Sequence, residues 1–76
     1  MNARELRKGD LLDIQTDKLS QKAPCTCTVV GKRPRGLVVE HDDSDEYLPF
    51  DLFTDKVVER LKDLGGRRIF KITERP

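Results

Sequence analysis

The chain contains no tryptophan, one tyrosine, one histidine and two cysteines among its 76 residues. Two cysteines cannot form a disulfide framework, and the first residues lack the apolar core of a signal peptide, so we expect a cytoplasmic protein with reduced thiols. Apolar runs long enough to span a membrane are missing too, and we expect no membrane association. The net charge of +1 is far from the strongly basic balance of a general nucleic-acid binder.

Residues for catalysis are equally scarce. His41 is the only histidine, and no serine or cysteine is predicted to lie beside it. General acid–base chemistry needs titratable groups that converge in a pocket, and so short a chain rarely encloses a pocket as well as a core. We therefore expect a protein that is not an enzyme and has no cofactor, with His41 at the surface where a strand ends.

Two short patterns resemble metal sites without completing one. Cys25 and Cys27 point the same way on a strand and could join His41 and an aspartate around zinc, but zinc sites usually pair two cysteine motifs. The acidic residues within 42–46 resemble a calcium loop that lacks its central glycine and its last, bidentate glutamate. We favour two core-facing cysteines, a solvent-exposed acidic turn and no bound metal.

The feature that the chain does have is alternation of apolar and polar residues. Five segments show it between turn residues, and they predict strands at 11–15, 25–30, 37–41, 46–48 and 67–74. The second and third are joined by a glycine-bracketed turn and form the central hairpin. Cys27 and Val29 lie on the side of the hairpin that we expect to face the core. The polar stretch 16–24 is predicted to be a long loop, a common place for binding function.

Two helical segments are predicted as well. Asn2 and Glu5 have the spacing of a capping box at the start of a short turn. Between residues 53 and 64 large apolar residues recur at steps of four, four and three, which is one stripe of an amphipathic helix. Thr54 is a suitable N-cap, and the two glycines at 65–66 are a suitable stop. The pattern predicts a helix over residues 55–64.

Together these elements predict one mainly β domain over residues 1–76. Five short strands cannot form two packed sheets, so we expect a small five-stranded barrel, or a strongly bent antiparallel sheet, capped by helix 55–64. The strand count and the Lys8-Gly9-Asp10 entry to the first strand resemble those of SH3-like small barrels, including the KOW and Tudor kinds. The likeness is one of architecture, and an α+β sheet with the helix on one face is the alternative.

Charge is divided unevenly along the chain. Residues 1–38 carry 8 basic and 4 acidic side chains, a net of +4, whereas residues 39–76 carry 7 basic and 10 acidic, a net of −3. We therefore expect one positive and one negative side on the folded molecule.

The best lead to function is the set of basic residues in the hairpin turn and at the start of the last strand, with the one aromatic residue that the core does not need. These are Lys32, Arg33, Arg35, Arg67, Arg68 and Tyr47. Arginine suits phosphate because its planar guanidinium donates two parallel hydrogen bonds, and an exposed tyrosine can stack on a base. The first hypothesis is a non-catalytic module that contacts RNA or DNA phosphates. The alternative is a protein-interaction or regulatory module that uses the 16–24 loop, the acidic turn or a sheet edge.

Overall fold

Strands dominate the computed structural model, which describes residues 1–63 and 65–76. Within these residues the strands are β1 (Leu11–Ile14), β2 (Cys25–Arg33), β3 (Gly36–His41), β4 (Ser44–Pro49), β5 (Lys56–Arg60) and β6 (Ile69–Glu74). Two short 3₁₀ turns accompany them, at Ala3–Glu5 and at Phe50–Phe53. The capping box predicted for the first turn is confirmed, because the Asn2 side chain accepts from Arg4 N and Asn2 N donates to Glu5.

The strands form one mixed sheet in the order β4-β3-β2-β1-β6-β5. Neighbours are antiparallel except β1 and β6, which pair in parallel near the middle of the sheet. The predicted five-stranded barrel is therefore wrong, because there is a sixth strand and the sheet is open, with β4 and β5 at its edges. The other predicted form, a bent antiparallel sheet, is wrong as well, because β1 and β6 are parallel. The sheet stays open because β6 pairs with β1 on one side and with β5 on the other. β5 therefore becomes an edge strand.

The predicted helix over 55–64 is also wrong, and so is the α+β alternative that depends on it. β5 occupies residues 56–60 and the chain from 61 to 63 is irregular, while Leu64 lies outside the described residues. Val57 and Val58 are β-branched and favour a strand, and Val58 packs into the core at the position paired with Ile72. A lone helix of about ten residues is marginal, whereas β5 shares backbone hydrogen bonds with β6.

The sheet is strongly coiled, and the path of the chain shows why. β4 and β5 lie on opposite edges yet follow each other in sequence, separated only by residues 50–55. The edges of a flat six-stranded sheet would lie about 24 Å apart at a spacing of about 4.8 Å per strand, more than a compact 3₁₀ turn can span. Coiling brings both edges to the second 3₁₀ turn, which contacts β3, β4, β5 and the first 3₁₀ turn.

The concave side of the coiled sheet and the two 3₁₀ turns enclose the core. It contains alternate residues of the strands together with residues from the turns and loops: Ala3, Leu6, Leu12, Ile14, Leu19, Cys27, Val29, Leu37, Val39, Leu48, Phe50, Phe53, Val58, Phe70 and Ile72. The period-two burial explains why the sequence indicated most of the strands. None of the helical segments within residues 1–63 and 65–76 has the length and hydrophobicity needed to cross a bilayer.

Candidate nucleic-acid interface

The hairpin turn between β2 and β3 is shaped by a β-bulge. Val29 pairs with Val39, but the next paired residue of β2 is Gly31, which faces Val38, so one residue of β2 is extra. A bulge reverses the faces of the residues that follow it. Arg33, paired with Gly36, therefore lies on the convex face of the sheet, whereas a regular strand would place it on the same face as Val29.

Tyr47 lies on the same convex face, on the neighbouring edge strand β4, where it pairs with Val38. Its side chain is about half exposed, at 49%. The ring packs against Gly36: a Cβ added there would lie only 2.6 Å from Tyr47 Cε1 and 2.6 Å from the Leu48 carbonyl oxygen. Gly36 is thus required by the close approach of the ring and the β4 backbone.

These residues form a shallow depression at one end of the sheet, lined by Arg33, Pro34, Arg35, Val38 and Tyr47. Its lining combines two cations, one aromatic ring and apolar surface, and it contains no acidic residue. Three of the residues that the sequence predicted for nucleic-acid binding, namely Arg33, Arg35 and Tyr47, are thus brought together.

Lys32 points the other way, because the bulge places it opposite Leu37 on the concave face. Its ammonium group donates a hydrogen bond to the carbonyl oxygen of Arg4. Arg4 in turn lies over the Phe50 ring, 4.7 Å from the ring centre, and its Nη1 is 3.5 Å from the Pro34 carbonyl oxygen. Lys32 therefore ties the basic turn to the first 3₁₀ turn rather than lining the depression.

Arg67 and Arg68 lie in a second groove, which they share with Arg7, Lys8 and the Gly65–Gly66 turn. Arg68 is largely committed to the fold: its Nε lies 3.3 Å from the buried carboxylate of Asp10, and its guanidinium lies 4.9 Å from the centre of the Phe70 ring. Arg67 is exposed and donates to the Gly9 carbonyl oxygen and to Thr28 Oγ1. The structure thus divides four of the five predicted basic residues between two separate depressions and leaves Lys32 outside both.

Sequence reasoning missed Arg7 and Lys8 as members of this second groove. They precede β1, whose first residue Leu11 pairs with both Thr28 and Ile69. The sequence offered one hint, that Arg7 and Lys8 directly precede the turn at Gly9. Their position beside Arg67 could not be predicted, because it depends on the parallel pairing of β1 with β6.

The Arg33–Arg35–Tyr47 depression lies at one end of β3 and the acidic turn lies at the other. The second groove lies near the middle of β2, where Arg67 donates to Thr28, the partner of Glu40. β3 begins at the basic turn and ends at the Asp42–Asp43 turn, so its six residues separate the two turns by roughly 17 Å. The prediction of one positive and one negative side for the whole molecule stays a prediction. The basic turn is the end of β3 that attracts polyanions.

The cysteines and the histidine occupy a different place, near the acidic end. Cys27 is 2% exposed, and burial, with the neighbouring Cys25 and Glu46, raises the pKa of its thiol to about 12. His41 is only 7% exposed, so its expected surface position is wrong; its Nε2 lies 3.0 Å from Glu46 Oε1. In the part of the chain that the structure describes, no cluster of three or more histidine, cysteine or acidic side chains is arranged to hold a metal ion.

Of the two basic depressions, the one lined by Arg33, Arg35 and Tyr47 suits an anion better, because its lining contains no acidic residue whereas Asp10 lines the other. Comparisons with protein-family models, with curated proteins and with solved structures show no significant similarity to this chain.

Proposed function

We propose that this protein is a small non-catalytic module that binds RNA or DNA phosphates through the turn between β2 and β3. The observation that supports the proposal most directly is that Arg33, Arg35 and Tyr47 line one depression. Phosphate affinity supplies most of the sequence-independent binding of nucleic acids.

The guanidinium groups of Arg33 and Arg35 have N–H donors that are not engaged by carboxylates. Among residues 1–63 and 65–76, neither Arg33 nor Arg35 forms an ion pair with a carboxylate. Both side chains are exposed. A guanidinium in this state can donate two parallel hydrogen bonds to a phosphate without first breaking a salt bridge.

The test is the salt dependence of binding to fluorescently labelled oligonucleotides of about ten nucleotides, measured by anisotropy. We expect the logarithm of the affinity to fall linearly with the logarithm of the salt concentration. Arg33→Glu combined with Arg35→Glu is expected to weaken binding by at least about tenfold. It should also reduce the slope by about 1.4, since each contact to a single-strand phosphate contributes about 0.7.

A matched control makes the same charge change near the acidic turn. Lys18→Glu combined with Lys22→Glu alters two exposed residues of the 16–24 connection, which contacts Glu46 and the 42–43 turn. We expect this pair to change the affinity by less than about threefold, because charges farther apart than the Debye length of about 10 Å are screened. Unchanged affinity in the Arg33/Arg35 variant, or equal losses in both variants, contradicts the proposal.

A second candidate function, a protein-interaction module, is favoured by one observation. β4 lies at the edge of the open sheet and pairs only with β3 among the strands that the structure describes. An extended segment of another protein could add to such an edge. Capture of partners from an extract, with and without nuclease, separates the two candidates: a protein partner stays bound after nuclease treatment, and a nucleic acid does not.

A further inference from the structure

We infer that the nucleic acid bound at this depression is single-stranded and stacks one base on Tyr47. The inference rests on the proposed function and narrows it to one class of nucleic acid, unpaired RNA or DNA.

One side of the Tyr47 ring is held against the backbone at Gly36. Gly36 has no side chain, and the ring occupies the space in which a Cβ would stand, 2.6 Å from Cε1 and 2.8 Å from Cζ. Pairing between Gly36 and Pro49 and between Val38 and Tyr47 fixes the two backbones on either side of this contact. Roughly half of the side chain nevertheless faces solvent. A supported ring of this kind can receive a base at little cost in side-chain entropy.

The residues around the ring offer apolar surface for a base and hydrogen-bond donors for phosphates. Pro34 and Val38 add apolar surface beside the ring, which suits the flat faces of a base. Arg33 and Arg35 flank the same depression and provide donors for the phosphates that follow the base along the strand. No carboxylate lines the depression to repel them. Stacking next to positive charge is the usual way in which proteins hold single strands.

A duplex would leave the aromatic part of this surface unused. In double-stranded nucleic acid the faces of the bases are covered by their neighbours, and a shallow depression meets only sugars and phosphates. The arginines could contact those phosphates, but Tyr47 could stack only on a base taken out of the helix, at a cost of a few kcal/mol. The geometry therefore favours an unpaired base.

The experiment compares single strands with a duplex, and strands that have bases with a strand that has none. The probes are labelled oligothymidylate and oligouridylate of about ten nucleotides, the same oligothymidylate in a duplex with its complement, and an abasic strand with the same number of phosphates. The variants are Tyr47→Leu, which keeps an apolar side chain but cannot stack, and Tyr47→Phe, which keeps the ring. Thermal melting checks that each variant is folded, which we expect because the side chain is half exposed.

We expect both single strands to bind more tightly than the duplex. Tyr47→Leu is expected to weaken their binding by about 5- to 100-fold, the range for loss of one stacked base, and to leave binding of the abasic strand unchanged. Tyr47→Phe should retain the affinity of the original protein.

NMR of the single tyrosine gives a second readout of stacking, separate from the affinity measurements. Tyr47 is the only tyrosine of the chain, which has no tryptophan. The signals of the Tyr47 ring protons are identified as those that disappear from the spectrum of Tyr47→Phe. Stacking of a base shifts them upfield, whereas the abasic strand, which offers phosphates alone, leaves them in place.

The outcomes separate the inference from the proposed function. If the Arg33→Glu and Arg35→Glu pair abolishes binding but single strand and duplex bind equally, or the Tyr47 ring signals do not move, the inference is overturned and the proposed function stands. If none of the four probes binds even at low salt, both are overturned. Tighter binding of single strands, lost in Tyr47→Leu and kept in Tyr47→Phe, supports both.

Discussion

At the scale of single residues, the environment of Cys27 decides its chemistry. Its side chain faces the core, and loss of hydration penalises the charged thiolate more than the neutral thiol. Cys25 and Glu46 act in the same direction, and the pKa rises to about 12. A thiol with so high a pKa is a poor nucleophile at neutral pH. Cys27 therefore serves the fold as a small apolar residue.

The raised pKa of Cys27 predicts a loss of stability in alkali. In the unfolded chain the thiol ionises near pH 9.0, whereas in the folded protein it does so near 12. The free energy of unfolding is therefore unaffected by Cys27 below about pH 9 and falls above it, by up to about 1.4 kcal/mol per pH unit. Urea unfolding at pH 7.5 and pH 10, compared with the similar-sized variant Cys27→Val, measures the effect. An equal loss in both proteins would show that other groups cause it.

Some residues of the candidate site could be predicted from the sequence, and others could not. Arg33 and Arg35 were found because turn composition is local, and Tyr47 because no other aromatic residue was free of the core. The role of Gly36 beneath the ring was not found, since the contact joins two strands. The bulge that turns Arg33 outward and Lys32 inward has no signal in the sequence apart from Gly31.

At the scale of elements, β5 shows how a strand can imitate a helix. Apolar residues at 53, 57 and 61 follow a helical period, but the structure buries Phe53 in the second 3₁₀ turn and Val58 in β5, and leaves Leu61 at the surface. β1, β2 and β3 were predictable because short apolar segments lie between turn residues. β5 was not, because its adjacent residues Val57 and Val58 fit a helical stripe as well as a strand, and its burial depends on pairing with β6.

The connection 16–24 is fixed to β4 by a single acidic side chain. The Glu46 carboxylate accepts a hydrogen bond from Gln21 N, at 3.0 Å to Oε2, and also lies 3.0 Å from His41 Nε2. Because His41 and Glu46 are both largely shielded from solvent, at 5% and 16% side-chain exposure, their contact is stronger than an exposed one. This clamp holds the middle of a long connection near the edge of the sheet.

Glu46→Gln is expected to loosen this connection. The amide keeps the shape of the side chain but removes the charge that strengthens both hydrogen bonds. We expect the amide hydrogen of Gln21 to exchange at least about five times faster, and the free energy of unfolding to fall by about 1 kcal/mol. Hydrogen exchange followed by NMR measures the first effect. Glu40→Gln, an exposed neighbour on β3, is the control; equal exchange of Gln21 in both variants contradicts the clamp.

At the scale of the whole molecule, the topology separates two turns of opposite charge. The basic turn at 32–35 lies at one end of β3, and the acidic turn at 42–43 lies at the other. The two turns are close in sequence because a single strand, β3, lies between them. In the proposed function, the field of the basic turn orients an approaching nucleic acid before contact.

The parallel pairing of β1 with β6 also determines how the protein would respond to mechanical force. Tension applied through handles at residues 10 and 75 pulls these two strands in opposite directions along their length, so the four residue pairs from Leu11–Ile69 to Ile14–Ile72 bear the load together. Handles at residues 35 and 50 instead pull apart adjacent ends of β3 and β4, whose pairs separate one after another. We expect rupture in an atomic-force measurement to need clearly more force in the first geometry; equal forces would contradict this. A protein built in this way withstands being stretched along its chain far better than being peeled from one edge.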